Sequence, residues 1–135
     1  MATAITSRLP LYGTHKGGLN QVGEIVKVNL TSDGSGDASI SIDDLHGFLV
    51  KVITQGVAAT APTANWDLTL IAPYGASYDA LVATGADRHT TNTEEIAPVL
   101  SGAANPQYLS GAYTLTGANM GASKDATVWL FVHGG

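Results

Sequence analysis

The chain contains no cysteine, which removes disulfides, thiolate metal sites and thiol nucleophiles together and leaves the redox compartment unmarked. Charge is also scarce, at 13% of residues against a usual value of roughly 25%. Six basic residues are scattered against eleven acidic ones, giving a net charge of −5. That distribution lacks the clustered cationic footprint required for nucleic-acid binding. Apolar runs are only a few residues long, far short of a membrane span. The opening MATAITSRLPLYG lacks a basic segment followed by an apolar one, so no secretory signal is expected and the product should be soluble in the cytoplasm that makes it. Helical periodicity is missing too: nothing sustains a 3.6-residue period over three turns.

What the chain does have is alternation. Its 135 residues suit one domain able to bury a core without staples. In VGEIVKVNL, Val26, Val28 and Leu30 alternate with Lys27 and Asn29, the period of a half-buried strand. TSDGSGD supplies turn chemistry, and ASISI alternates again through Ala38, Ile40 and Ile42, so the two segments read as a hairpin. DDLHG breaks the pattern. FLVKVIT then places Phe48, Val50 and Val52 on one side and Leu49, Lys51 and Ile53 on the other. In WDLTLIA, Trp66, Leu68 and Leu70 share a face, and APYG carries Pro at the second position of a turn. SYDALVA can return as a strand ending near Val82, the favoured reading, or close as a short helical turn; TGADRHTTNTEE reads as a long polar loop, and IAPVL as a short strand or edge segment whose Pro98 excludes a central position.

YLSGAYTLTG and DATVWLFVHGG give two further strands joined by ANMGASK. In the last, Val128, Leu130 and Val132 face one way and Trp129 and Phe131 the other. A strand apolar on both faces is expected to be covered on both, by a second layer or by another subunit. Short strands separated by turn signals predict an all-β fold, an antiparallel β-sandwich or jelly-roll-like barrel. Residues 1–20, with one Pro, several Gly and isolated apolar side chains, predict an extended N-terminal arm ahead of a single domain over residues 21–135.

Chemistry is harder to find. The histidines at 15, 46, 89 and 133 have no paired spacing, so no metal site is expected. SDGSGD lacks the further oxygen ligands and the distal Glu of a calcium loop. Asp43 and Asp44 beside His46 are adjacent residues that point apart. GTHKGG has the composition of a phosphate loop without its Gly-Lys-Ser/Thr ending. GADRHTTNTEE gathers Asp87, Arg88, His89, Glu94 and Glu95, but no nucleophile can be assigned beside them, so no catalysis and no cofactor are expected. Trp66 and Trp129 could form a sugar-stacking platform, with Tyr74 or Tyr78; as periodic members of strand faces they read better as core or subunit interface.

The ordered series GFLVKVITQGVAATAPTANWDLTLIAPYGASYDALVATGADRHTTNTEEIAP and LTGANMGASKDATVWLFV, spanning residues 47–132, resembles small tailed-bacteriophage virion proteins encoded beside capsid genes. Those are interpreted as head decoration, or cement, proteins. In them a strand like GFLVKVIT precedes a small-residue loop, a hairpin, a segment like LVATGADR, and a C-terminal hairpin. The chain departs from the pattern in having APYGAS where related sequences carry an acidic turn, and its first twenty residues match nothing in the group.

The resemblance implies a structural protein that binds the outside of the assembled capsid and stabilises it, with the major capsid protein as partner and the virion exterior as location. It also implies a homo-oligomer, a trimer being favoured. Arg8, Leu9, Leu11 and Tyr12 on the arm and Arg88 and His89 on the polar loop are the candidate capsid contacts. Trp129 and Phe131 are the candidate subunit-interface residues. A head fibre base, a tail component or a carbohydrate- or receptor-binding knob are the competing roles.

Overall fold

The computed structural model describes residues 2–15, 18–74, 78–100 and 102–134. The chain is all-β and antiparallel, and no α-helix occurs among the described residues. Its strands are β1 (Ala4–His15), β2 (Gly18–Thr31), β3 (Ala38–Gly56), β4 (Asp67–Ile71), β5 (Glu94–Ile96), β6 (Val99–Leu100), β7 (Ala103–Ala104), β8 (Gln107–Ala118) and β9 (Asp125–His133). A 3-10 turn covers Ala58–Thr60. The main sheet runs β1-β2-β9-β3-β8-β4, with β5 added to β3 and β6-β7 forming a separate pair.

β3, 19 residues long, organises the molecule. Its first part pairs with β8 from Ala38 to Leu49, and its second pairs with β9 from Phe48 to Gly56. The strand therefore belongs to two layers, β1-β2-β9-β3-β5 and β3-β8-β4, which fold over a shared core in a sandwich-like arrangement. Val26, Val28, Leu30, Val52, Val128 and Leu130 enter that core from the first layer; Ile42, Leu45, Trp66, Leu68, Leu70, Leu109 and Leu115 enter from the second. The layers touch where a Cβ on Gly117 of β8 would lie 3.3 Å from Leu30 Cδ1 of β2.

Two irregularities in β3 make this possible. The register with β8 shifts between Ile42 and Leu45, where Asp44 takes φ 53°. The register with β9 shifts between Leu49 and Lys51. Each added residue reverses which parity points inward. Ala38 and Ile42 face the core, then Leu45 and Leu49, then Val52 and Thr54. Phe48 and Val50 are therefore exposed while Val52 is buried, which corrects the placement of all three on one side.

Three further expectations change. β2 and β3 are not a hairpin: β9 lies between them. The 32–37 loop instead carries the chain between layers, tied down by Met120 N–H donating to Gly36 O at 2.9 Å. β8 and β9 are not a C-terminal hairpin either, because β3 separates them. Among the described residues of SYDALVA no strand forms: only Asp79 bridges to Ile71, and the chain then turns through Val82 and Ala83 at φ 52° and 62°. The remainder of the APYGAS turn, residues 75–77, lies outside the described residues, as does part of GTHKGG.

The segment expected as an arm is extended, but it is a strand of the sheet. Residues Ala4 to His15 pair with Gly18 to Asn29 along β2, so the expected boundary at residue 20 falls inside β2. The apolar side chains that look isolated in one dimension gain neighbours from β2. Ile5, opposite Val28, packs against the core.

Candidate functional site

The charged stretch from residue 67 to 95 folds against the edge of β4, and most of its charges serve that packing. The Asp79 carboxylate accepts the backbone N–H groups of Leu70 at 3.0 Å, Leu81 at 3.0 Å and Ala83 at 3.1 Å. Those bonds hold the positive-φ turn, which a branched residue such as Val82 adopts only when its surroundings enforce it. Asp67 accepts from Asp87 N–H at 3.0 Å and from the Asn119 amide at 2.7 Å. Glu94 accepts from His89 N–H at 2.6 Å and lies 3.4 Å from Arg88 Nη1.

Arg88 also donates to the Ala86 carbonyl and is largely covered. His89 Nδ1 accepts N–H bonds from Thr91 at 3.1 Å and Asn92 at 2.9 Å. An imidazole nitrogen used as an acceptor puts the proton on the other nitrogen. Beneath them the Trp66 indole, fully buried, donates to the His89 carbonyl at 3.0 Å. A buried ring cannot stack a sugar. Tyr74 and Tyr78 are exposed, but their hydroxyls are engaged with Tyr113 and Gln107.

This packing closes one edge of the sheet. Leu68 N–H donates to Gly85 O at 2.8 Å, Ala80 N–H to Leu70 O at 2.8 Å, Ala72 N–H to Tyr78 O at 2.9 Å and Arg88 N–H to Trp66 O at 2.6 Å. At the opposite edge, β1 presents a 12-residue strand beyond which no further strand pairs among the described residues. Natural sheets usually blunt such an edge with charge, proline or a covering loop. Here the devices are Pro10 and a register shift near Thr6.

Arg8, the charge that could guard this edge, turns to the inner side beside Val26. Its guanidinium forks onto Glu24, with Nε at 3.0 Å from Oε2, and reaches the carbonyls of Asp43 and Asp44 at the first β3 bulge. The hydrogen bond to Glu24 raises its pKa further, against the opposing effect of burial. Arg8, Glu24, Asp44 and His46 line a cleft of about 430 Å³. Glu24 already matches the arginine charge there.

The outer face of the first layer is different in kind. Directly opposed residues share a face, so the pairings define three rows. Leu11, Gly23, His133, Phe48 and Tyr108 form one; Leu9, Ile25, Phe131 and Lys51 form the second; Ser7, Lys27, Trp129, Ile53 and Glu95 form the third. Leu9 is 57% exposed, Tyr108 46% and Phe48 45%, while Trp129 and Phe131 are half-buried. Lys27 Nζ lies 5.8 Å from the Trp129 ring centroid and Lys51 Nζ 4.8 Å from that of Phe131. The lysine stems cover part of the rings and leave their charges at the surface. Phe48 and Tyr108 meet edge to face at 5.2 Å.

The sheet thus brings Leu9, Leu11, Trp129 and Phe131 onto one face, with Tyr12 exposed nearby on β1. Arg8 points to the other face, and Arg88 and His89 lie at the opposite edge, beside β4. Phe48, Tyr108, Ile25, Lys27 and Lys51 complete the face without having been picked out for it. Alternation in VGEIVKVNL assigns Lys27 outward; the exposure of Phe48 depends on the first β3 bulge, between Ile42 and Leu45.

No protein-family model matches the chain, and no curated protein matches it.

Two buried polar groups complete the electrostatics. Burial works against ionisation of Asp125, yet hydroxyl donors Thr31 and Thr60, each at 2.6 Å, outweigh it and lower its pKa. Burial, joined by the hydrogen bond to Tyr74, pushes the Tyr113 phenol up to about 12.

Proposed function

We propose that the chain is a structural virion protein that binds the outside of an assembled phage capsid and stabilises it without catalysis. The observation that supports this best is the inequality of the two sheet edges. The β4 edge is closed by backbone bonds from residues 78–88, whereas the β1 edge has no strand beyond it among the described residues. An open edge offers main-chain donors and acceptors to an extended segment of a partner, with alternate side chains supplying selectivity. The sequence resemblance over residues 47–132 supports the major capsid protein as that partner.

A protein that binds the assembled shell but not free subunits stabilises the shell by mass action, and repetition over the lattice multiplies modest contacts. A trimer is the proposed oligomer. Because β1 is part of the sheet, deleting the N-terminal residues would strip β2 bare as well as remove a contact. A point substitution at the edge is the better probe.

The test is co-sedimentation of the full chain with expanded empty capsids, read beside the mass of the free protein in solution. Wild-type protein should pellet with shells and raise their melting temperature, and Thr6→Pro, which removes a backbone donor from β1, should weaken binding while preserving the fold. Wild-type protein remaining in the supernatant with intact shells would overturn the proposal.

A further inference from the structure

We infer that the outer face of the first layer docks on the shell together with the β1 edge that borders it, and that it takes a protein surface apolar at its centre and acidic around it. The inference rests on the proposed function for the identity of the partner, and on the face itself for the chemistry. Leu9, Ile25, Phe131, Trp129, Ile53 and Phe48 form a connected apolar tract across four strands. Leu9 and Phe48 are exposed and the other four half-buried, and a contiguous apolar tract within reach of solvent marks an interaction site.

Charge selects among occupants. In a chain of net charge −5, the three rows hold Lys27 and Lys51 against one carboxylate, Glu95. Lys51 lies 3.6 Å from Glu95. Lys27 is exposed and has no ion-pair partner among the described residues; its ammonium is held over the Trp129 ring. The face is therefore locally basic on an acidic protein. Two copies packed through this face would oppose like charges, which costs affinity. An acidic partner surface meets Lys27 and Lys51 favourably while its apolar centre covers Phe131 and Leu9.

Lys27 gives the face its charge and Phe131 its apolar centre, so each can be removed separately. The experiment measures binding of the full chain to expanded capsids across a salt series, for the wild type, Lys27→Glu, Phe131→Ser and Lys124→Glu. Lys124→Glu makes the same charge change away from the face. Wild-type affinity should fall with added salt, since exposed charges are screened over about 8–10 Å. Lys27→Glu should weaken binding about tenfold and flatten the salt dependence. Phe131→Ser should weaken it about thirtyfold, as for a central aromatic anchor. Lys124→Glu should bind as the wild type does.

Circular dichroism checks each variant's fold, and if Phe131→Ser fails to fold, Lys27→Glu and the wild-type salt series decide alone. Bound wild type with Lys27→Glu unaffected, or with binding indifferent to salt, overturns the docking face and leaves the proposed function standing. Wild type that does not bind the shell overturns both.

Discussion

The Trp66 indole N–H donates to the His89 carbonyl at 3.0 Å, so the largest fully buried side chain of the second layer holds the most polar loop of the chain. The bond explains why a loop of carboxylates, an arginine and a histidine lies flat along β4. Core packing positions the ring, and the ring's one polar atom fixes the loop above it.

Trp66→Phe keeps an aromatic in the core and removes that donor. The His89 carbonyl then loses its partner and part of the ring volume goes unfilled. Stability should drop by about 2–3 kcal/mol in urea unfolding, and amide exchange should quicken at Arg88, whose N–H bonds Trp66 O. Stability within about 0.5 kcal/mol of the wild type, the usual range for surface changes, would show that the loop is held by other contacts.

Gly85→Ala tests the closeness of the same loop. A Cβ at residue 85 would sit 2.0 Å from the Leu68 carbonyl oxygen, a backbone atom that cannot step aside alone. Forced separation should cost about 1–3 kcal/mol and weaken the Leu68 N–H bond to Gly85 O. Chemical denaturation and exchange at the Leu68 amide measure both effects. An unshifted midpoint would mean that the loop can slide without loss.

Asp125 predicts an acid limb of the stability curve. Its pKa is lowered in the fold because Thr31 and Thr60 favour the carboxylate more strongly than burial opposes it. The folded protein therefore binds this proton less readily than the unfolded chain. The contribution is fully present above the unfolded value of about 3.9 and disappears as pH falls through the lower folded value. Urea midpoints for the wild type and Asp125→Asn should differ near neutrality and converge in acid. A difference constant over that range would assign the loss to packing.

Tyr113 predicts the alkaline limb. A phenol raised to about 12 by burial and by Tyr74 stays protonated in the fold after an unfolded tyrosine, at about 10, has ionised. Its contribution is therefore complete below about pH 10 and is lost as pH rises through about 12. Tyrosinate absorbance should show a late step that vanishes in Tyr113→Phe. A spectrum unchanged by that substitution would place the late step elsewhere.

Much of the fold is legible in the alternation of particular residues. Val26, Val28 and Leu30, then Trp66, Leu68 and Leu70, then Val128, Leu130 and Val132 are all buried, because in a strand the side-chain period of two is a local property. Around Asp43–Asp44 and Val50 the same reasoning loses parity, since one added residue in β3 moves every following side chain to the other face. The polar loop shows the limit for function. Glu94 has the residue type of an acid–base site, yet its Oε1 accepts the His89 backbone N–H. Nothing in GADRHTTNTEE distinguishes a capping carboxylate from a reactive one.

Alone, then, the sequence determined an all-β chain, the inward rows of its central strands and the two-sided apolar character of TVWLFV. Strand order was decided by tertiary structure. β9 separates β2 from β3, and β3 separates β8 from β9, through pairings between residues as distant as Thr31 and Asp125. Local alternation carries no information about which strand lies alongside which. The same long-range pairing aligns Leu9, Ile25, Phe131 and Lys51 in one row and turns Arg8 away from it, because a face exists only once neighbouring strands have been brought together.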